Sequence, residues 1–143
     1  MRVYFAAPLF TTGERMFNAE LGARLRQAGH EVYLPQEQET AADDPERSFR
    51  NDLEHLEGSN VVVGIMDGAD PDSGTSWEIG YAFGTKRPII LLRTDMRASN
   101  DTGAPYNLML TESATERIEL AIPSVEEAAR VVLGALARLE ASS

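Results

Sequence analysis

The sequence contains no cysteine, and only two of its 143 residues, His30 and His55, are histidines. Without cysteine there is no disulfide bond, no thiol nucleophile and no thiolate metal site. Two histidines cannot build a histidine-rich metal centre. We therefore expect no metal site, and any chemistry must come from carboxylates, hydroxyls and amides.

Positive charge is also scarce, because 13 lysines and arginines face 23 aspartates and glutamates, for a net charge of −10. Nucleic acids and anionic membranes are bound through clustered cations, so we expect neither as a partner. No apolar run reaches the roughly 18 residues of a membrane-spanning helix. Residues 1–5 are too short an apolar stretch for a signal peptide. These absences predict a cytoplasmic protein.

Short apolar segments alternate with helical patterns along the chain. Strands are predicted at residues 3–7, 31–34, 60–66, 88–92 and 118–122. The segment 60–66 is β-branched and does not alternate, which is typical of a strand buried on both faces. The pattern predicts one α/β domain over residues 1–143. Its fold would be flavodoxin- or Rossmann-like, a doubly wound five-stranded parallel sheet of order 2-1-3-4-5 with helices on both faces.

Capping patterns predict where the helices begin: Thr11 with Glu14, Asp44 with Pro45, Thr75 with Glu78, and Ser124 with Glu127. The third pattern places Glu78 in the first turn of a helix. There the helix dipole would keep the carboxylate ionised and available as a nucleophile. The same spacing is equally compatible with a structural role for Glu78 as a capping residue. Trp77 is expected in the core, with a place in the pocket wall as the alternative.

Ligands of doubly wound sheets bind outside the carboxyl ends of the strands, at the switch point of the strand order. We expect residues 6–10 and 67–78 to surround one crevice there, and the second segment is rich in aspartate. No G-x-G-x-x-G or G-x-x-x-x-G-K motif occurs, so dinucleotide and nucleoside triphosphate binding are not expected. Phe10 either stacks on a ligand ring or packs on its helix. Asp52 is either a ligand-binding residue or a surface carboxylate. Asn107 either binds a ligand or caps a turn.

Four segments, taken together and in order, resemble the nucleoside 2-deoxyribosyltransferase family. The most specific contains an Asp-x(5)-Glu-[Ile/Leu]-Gly-Tyr-Ala element, present here from Asp72 to Ala82. The other segments are residues 3–10, residues 51–53 and residues 107–109. The set covers most of the chain.

The resemblance implies a role for each matching residue. Glu78 would attack C1′ of a 2′-deoxyribose and form a covalent glycosyl-enzyme, while Tyr4 orients it. Asp52 would protonate the leaving base or deprotonate the incoming one. Asp72 would hold the base or a sugar hydroxyl. Asn107 would bind the 5′-hydroxyl in the site of a neighbouring subunit.

Further substrate contacts in the matching segments are expected from Ala6, Phe10, Gly74 and Met109, and from Gln36 or Gln38 after the second strand. The family implies deoxynucleosides and free nucleobases as substrates, no cofactor, and a homo-oligomer with shared sites. Two carboxyl groups around a glycosidic bond fit a retaining double displacement. Water must be kept from the intermediate until the second base arrives.

Two other functions remain open. A related 2′-deoxynucleoside 5′-phosphate N-hydrolase would share the glutamate nucleophile and bind phosphate near the first loop, where Thr11, Thr12 and Arg15 lie. The negative net charge and Asn107 favour a free 5′-hydroxyl over a phosphate. A nucleoside- or nucleotide-binding module without activity is the second alternative, because the fold alone does not determine function.

Overall fold

The computed structural model describes residues 1–38, 44–97 and 104–142. Its strands are β1 (Arg2–Ala6), β2 (Glu31–Tyr33), β3 (Val61–Ile65), β4 (Ile89–Arg93) and β5 (Glu116–Glu119). Its α-helices are α1 (Thr12–Gln27), α2 (Pro45–Gly58), α3 (Ser73–Gly84), α4 (Leu108–Ser113) and α5 (Val125–Ala141), and a short 3₁₀ helix spans Pro35–Glu37. The strands form one parallel sheet of order β2-β1-β3-β4-β5. The predicted fold class and strand order are confirmed.

Side chains at the predicted caps satisfy the first amides of three helices. The Thr11 hydroxyl accepts a hydrogen bond from the Glu14 amide, and the Glu14 carboxylate accepts one from the Thr11 amide, which completes a capping box at α1. The Asp44 side chain accepts the Arg47 amide at α2, and the Ser124 side chain accepts the Glu127 amide at α5. These bonds fix where each helix begins, because the first turn has no intrahelical acceptor for its amides.

Helices cover both faces of the sheet. Val3 and Phe5 of β1 pack into a core with α1 and α5, whereas Tyr4 and Ala6 pack into a second core with α2, α3 and α4. The division follows from the alternation of side chains along a strand. All residues of β3 and β4 are buried. Tyr4 therefore lies in the core on the same face as α2 and α3.

Gly64 of β3 allows α3 to pack closely on the sheet. A Cβ atom at this position would lie 2.7 Å from Cδ1 of Ile79 and 2.9 Å from Cδ2 of Leu91. Such distances are too short for carbon atoms, so any larger residue would displace these side chains. Because Ile79 follows Glu78 directly in α3, the close packing at Gly64 also helps to set the position of Glu78 relative to the sheet.

The local structure differs from the predictions at four places. β5 spans Glu116–Glu119 rather than residues 118–122. α3 begins at Ser73 rather than Thr75, because the Asp72 carboxylate accepts the Thr75 amide at 2.8 Å and caps the helix earlier. Helix α4 was not predicted. Trp77 is 50% exposed and does not belong to the core.

Among the helices of the described residues, none has the length and apolar character needed to cross a bilayer.

Candidate active site

Tyr4 and Glu78 meet between β1 and α3. The Tyr4 hydroxyl donates a hydrogen bond of 2.6 Å to Oε1 of Glu78, which lies in the second turn of α3. A cavity of about 310 Å³ opens beside them. Its lining residues come from β1, α2 and α3: Tyr4, Phe49, Asp52, Leu53, Leu56, Gly74, Trp77 and Glu78.

Asp52 of α2 lines the same cavity and has a phenol partner of its own. The Tyr33 hydroxyl donates to Oδ1 of Asp52 at 2.7 Å. Tyr33 and Tyr4 are register partners on the paired strands β2 and β1, and their rings stack with centroids 5.5 Å apart. Two adjacent tyrosines therefore each hold one of two carboxyl groups in a single cavity.

Burial raises the pKa of both carboxyl groups. The pKa of Glu78 rises from its ordinary 4.5 to about 7, mainly through loss of hydration, opposed by the Tyr4 hydrogen bond and reinforced by the charges of Asp52 and Asp72. The pKa of Asp52 is also raised by burial, against the hydrogen bond from Tyr33. Burial and the neighbouring carboxylates raise the pKa of both phenols, so Tyr4 and Tyr33 remain proton donors.

The reason predicted for the ionisation of Glu78 is wrong. Glu78 lies one turn beyond the first amides of α3, and the helix dipole acts mainly on the terminal turn. Asp72 occupies the capping position instead, where its Oδ2 accepts both the amide and the hydroxyl of Thr75. Glu78 is thus not a capping residue, and its carboxylate is turned to Tyr4 and the cavity.

A pair of partly buried carboxyl groups can divide two tasks between them. With one proton on the pair, one group is an ionised nucleophile and the other is a general acid. This arrangement suits substitution at an anomeric carbon.

Within residues 1–38, 44–97 and 104–142, no group of three or more histidine, aspartate or glutamate side chains is placed to hold a metal ion.

Of the residues predicted from sequence, the structure brings Tyr4, Asp52, Gly74 and Glu78 to the lining of this cavity. Asp72 lies close enough to raise the pKa of Glu78 by its charge. The remaining predicted residues, which are Ala6, Phe10, Gln36, Asn107 and Met109, do not line it.

Ala6 is fully buried in β1, whereas Phe10 is 75% exposed ahead of α1. Gln36 faces α1: its Oε1 accepts from Asn18 and its Nε2 donates to the Arg15 carbonyl. Gln38 faces α2 instead and accepts from Asn51 at 3.4 Å. The two candidate glutamines therefore belong to opposite sides of the sheet, and only Gln38 is on the side of Asp52.

Asn107 and Met109 line a second cavity, of about 660 Å³, on the opposite face of α3. Ser73, Ser76, Gly80 and Phe83 of α3 face this cavity, whereas Gly74, Trp77 and Glu78 face the smaller one. Asn107 caps α4 by accepting the Met109 amide at 2.9 Å, and Met109 is 80% exposed. Within one chain, α3 thus separates Asn107 from Glu78.

The segments 6–10 and 67–78 do not surround a single crevice. Pro8, Asp67 and Gly68 line a cavity of about 350 Å³ on the α1 side of the sheet. Glu78 instead lines the cavity on the α2 side of the sheet, together with Tyr4 from the middle of β1. The division arises because α3 packs on the face of the sheet that carries Tyr4, opposite to α1.

From the sequence, no role in the site is predicted for Tyr33, Asn51 and Phe49, and the core is favoured for Trp77, although the alternation of residues along β2 contains part of the signal. Tyr33 alternates with the buried Val32 on β2, which places it on the face of Tyr4. Asn51 precedes Asp52 and donates to the Tyr33 hydroxyl at 2.9 Å. Phe49 and Trp77 contact each other edge to face at the rim of the cavity.

Comparison with known proteins identifies the family of the chain. The family model described as nucleoside 2-deoxyribosyltransferase matches residues 3–109, which is 107 of the 143 residues. The chain belongs to the nucleoside 2-deoxyribosyltransferase family. No curated protein sequence is a significant match.

Among solved structures, the chain is similar to a 2-deoxyribosyltransferase from Bacillus psychrosaccharolyticus, with 26% identity, 90% of each chain covered and a TM-score of 0.71. A 2-deoxyribosyltransferase from Leishmania mexicana is 18% identical, with 92% of this chain and 95% of that chain covered and a TM-score of 0.67. A CMP N-glycosidase from Clostridium botulinum is 20% identical, with coverages of 92% and 97% and a TM-score of 0.65. The last two likenesses establish a common fold alone.

Proposed function

We propose that the protein transfers 2-deoxyribose between the bases of deoxynucleosides through a covalent intermediate on Glu78. The observation that carries the proposal is the Tyr4–Glu78 hydrogen bond beside Asp52 in one cavity. Membership of the family and similarity to the Bacillus psychrosaccharolyticus 2-deoxyribosyltransferase support the same type of reaction.

In the first half of the reaction, the ionised Glu78 attacks C1′ through Oε2, because Oε1 accepts the Tyr4 hydroxyl. A carbon–oxygen bond forms as the glycosidic carbon–nitrogen bond breaks, and the electron pair departs with the base. The reactive form is the one in which the proton shared by the pair lies on Asp52, and Asp52 supplies this proton to neutralise the leaving base. In the second half, Asp52 removes a proton from the incoming base, whose nitrogen attacks C1′ and releases Glu78. Two inversions retain the anomeric configuration.

We propose that the active unit is a homo-oligomer in which a second copy contributes Asn107. Support comes from the separation of Asn107 from Glu78 by α3 within one chain. The exposed apolar side chains around the larger cavity, among them Phe83, Leu108 and Met109, are typical of a surface covered by another protein. Such cover would also keep water from the glycosyl-enzyme.

The hydrolase alternative is weakened by the contacts of its expected phosphate-binding residues. Thr11 is used as the cap of α1, and the guanidinium of Arg15 donates to the carbonyls of Leu9 and Gln36. Two of the three expected phosphate-binding residues are therefore already engaged in other contacts. A binding module without activity does not explain why two carboxyl groups share one cavity, where the partial loss of their hydration costs free energy.

Mass spectrometry of the protein trapped with a 2′-fluoro-2′-deoxynucleoside tests the nucleophile. We expect one added sugar on the peptide that carries Glu78, and none in Glu78→Gln. The matched control is Glu57→Gln, since Glu57 is an exposed glutamate bonded to Tyr81 outside the cavity. Modification of another residue, or of none, would contradict the proposal.

Incubation with deoxyinosine, with and without adenine, distinguishes the alternatives. Deoxyadenosine as product indicates transfer, whereas free deoxyribose as the only sugar product indicates hydrolysis. A binding module would retain its ligand and produce neither.

A further inference from the structure

Tyr33 lies at the centre of a hydrogen-bonded series that ends on Asp52. Nδ2 of Asn51 donates to the Tyr33 oxygen at 2.9 Å, and the Tyr33 hydroxyl donates to Oδ1 of Asp52 at 2.7 Å. Because the phenol oxygen accepts from Asn51, its single proton is directed to Asp52. The same Nδ2 reaches Oε1 of Gln38 at 3.4 Å, which uses the second hydrogen of the amide.

Neighbouring rings also restrain the aromatic ring of Tyr33. His55 stacks on it with centroids 3.9 Å apart and planes inclined by 16°, and Tyr4 stacks on it with centroids 5.5 Å apart. Nδ1 of His55 donates to the Asn51 carbonyl at 2.8 Å, which fixes the imidazole. Two neighbouring rings thus restrict the phenol, and a restricted donor fixes the geometry of its acceptor.

We propose that Tyr33, oriented by Asn51, is a positioning residue that selects Oδ2 of Asp52 as the oxygen that exchanges a proton with the base. Oδ1 is engaged with Tyr33, while among the described residues Oδ2 has no hydrogen-bond partner. The inference rests on the proposed function, in which Asp52 is the acid and base. It deepens that function, because Tyr33 acts through Asp52 and does not itself line the cavity.

The groups that face Asp52 determine how its proton titrates. They are Tyr4 on β1, Tyr33 on β2, His55 on α2 and Glu78 on α3. The Tyr33 bond stabilises the carboxylate form, so its loss raises the pKa of Asp52 and releases the carboxyl group from one orientation.

Tyr33→Phe removes the hydroxyl and keeps the ring stack. In a single turnover with deoxyinosine we expect base release to slow by about tenfold, a part of what a general acid contributes. The basic limb of the pH profile should move to higher pH. With 7-methyl-2′-deoxyguanosine, whose cationic base leaves without a proton, the rate should change less than about twofold. The matched control Tyr81→Phe also removes a phenol bonded to a carboxylate, but outside the cavity, and should leave both rates unchanged.

A double-mutant cycle tests whether Tyr33 acts through Asp52. Once Asp52→Asn is present, adding Tyr33→Phe should slow deoxyinosine cleavage by less than about twofold. The role of Tyr33 would be overturned if Tyr33→Phe slowed base release from both nucleosides equally. It would also be overturned if the effects of Tyr33→Phe and Asp52→Asn on the rate simply multiplied in the double variant. Either result would leave the proposed function intact. A wild-type protein that releases base from neither nucleoside would instead refute the proposed function itself.

Discussion

The Tyr4 hydroxyl lies 2.6 Å from Oε1 of Glu78, so a side chain of the first strand orients a carboxylate carried by the third helix. The contact spans 74 residues of sequence and is partly buried, because Tyr4 belongs to the apolar core on the α2 side of the sheet. A hydrogen bond to a charged acceptor is stronger in such surroundings than in water. Tyr4 should therefore affect both the orientation and the protonation of the proposed nucleophile.

Replacement of Tyr4 by phenylalanine should lower transfer activity at neutral pH by at least about tenfold, the equivalent of one lost bond to a charged group. The bond favours the ionised carboxylate, so its removal should also raise the pKa of Glu78 above about 7. The acidic limb of kcat/KM should then move to higher pH. A profile from about pH 5 to 9 measures both effects. An unshifted limb would contradict the assignment of that limb to Glu78.

The raised pKa of Glu78 predicts that this residue destabilises the fold at alkaline pH. The folded protein retains the Glu78 proton to about pH 7, whereas an unfolded chain releases it near 4.5. Between these values the folded state binds more protons, so the contribution of Glu78 to stability falls as pH rises. The difference corresponds to about 3 kcal/mol.

Glu78→Gln removes this titration and tests the sign. The free energy of unfolding in urea should fall less steeply for the variant than for the wild type between about pH 4.5 and 7. At higher pH the variant should be the more stable of the two. Glu57→Gln is the control with an exposed carboxyl group. Parallel curves for wild type and Glu78→Gln would contradict a buried, titrating glutamate.

Local signals in the sequence predict the fold well because they act over a few residues. The run of valines in β3 predicts a strand buried on both faces, and the Thr11 and Ser124 patterns predict two helix starts. The start of α3 is mistaken because two capping residues compete three positions apart. Asp72 prevails over Thr75, and the shift moves Glu78 from the first turn to the second.

The site is less predictable, because its contacts join residues far apart in the chain. The resemblance to the family identifies Tyr4, Asp52 and Glu78, and the structure brings all three to one cavity. Periodicity does not reveal that Tyr33 bonds to Asp52, since that contact depends on the register of β2 against β1. The exposure of Trp77 likewise depends on how α3 and α2 pack.

Asp52→Asn should lower the pKa of Glu78. The charge of Asp52 is one of the causes that raise this pKa, and asparagine carries none. The pH-dependent step in stability assigned to Glu78 should therefore move to lower pH in the variant. Transfer should fall by about 100-fold or more, as expected for loss of a general acid and base. A Glu78 titration unchanged in Asp52→Asn would indicate that the two carboxyl groups do not interact.

Complementation between two inactive variants tests whether sites are shared between subunits. Glu78→Gln lacks the proposed nucleophile and Asn107→Ala lacks the proposed 5′-hydroxyl ligand, and these residues lie on opposite faces of α3. In a mixed oligomer, an Asn107→Ala subunit keeps Glu78 and receives Asn107 from its Glu78→Gln neighbour, which restores one complete site. We therefore expect activity to return when the two variants are unfolded together and refolded. Each variant refolded alone should stay inactive. No recovery in mixtures shown by light scattering to be oligomeric would mean that Asn107 does not complete a neighbouring site.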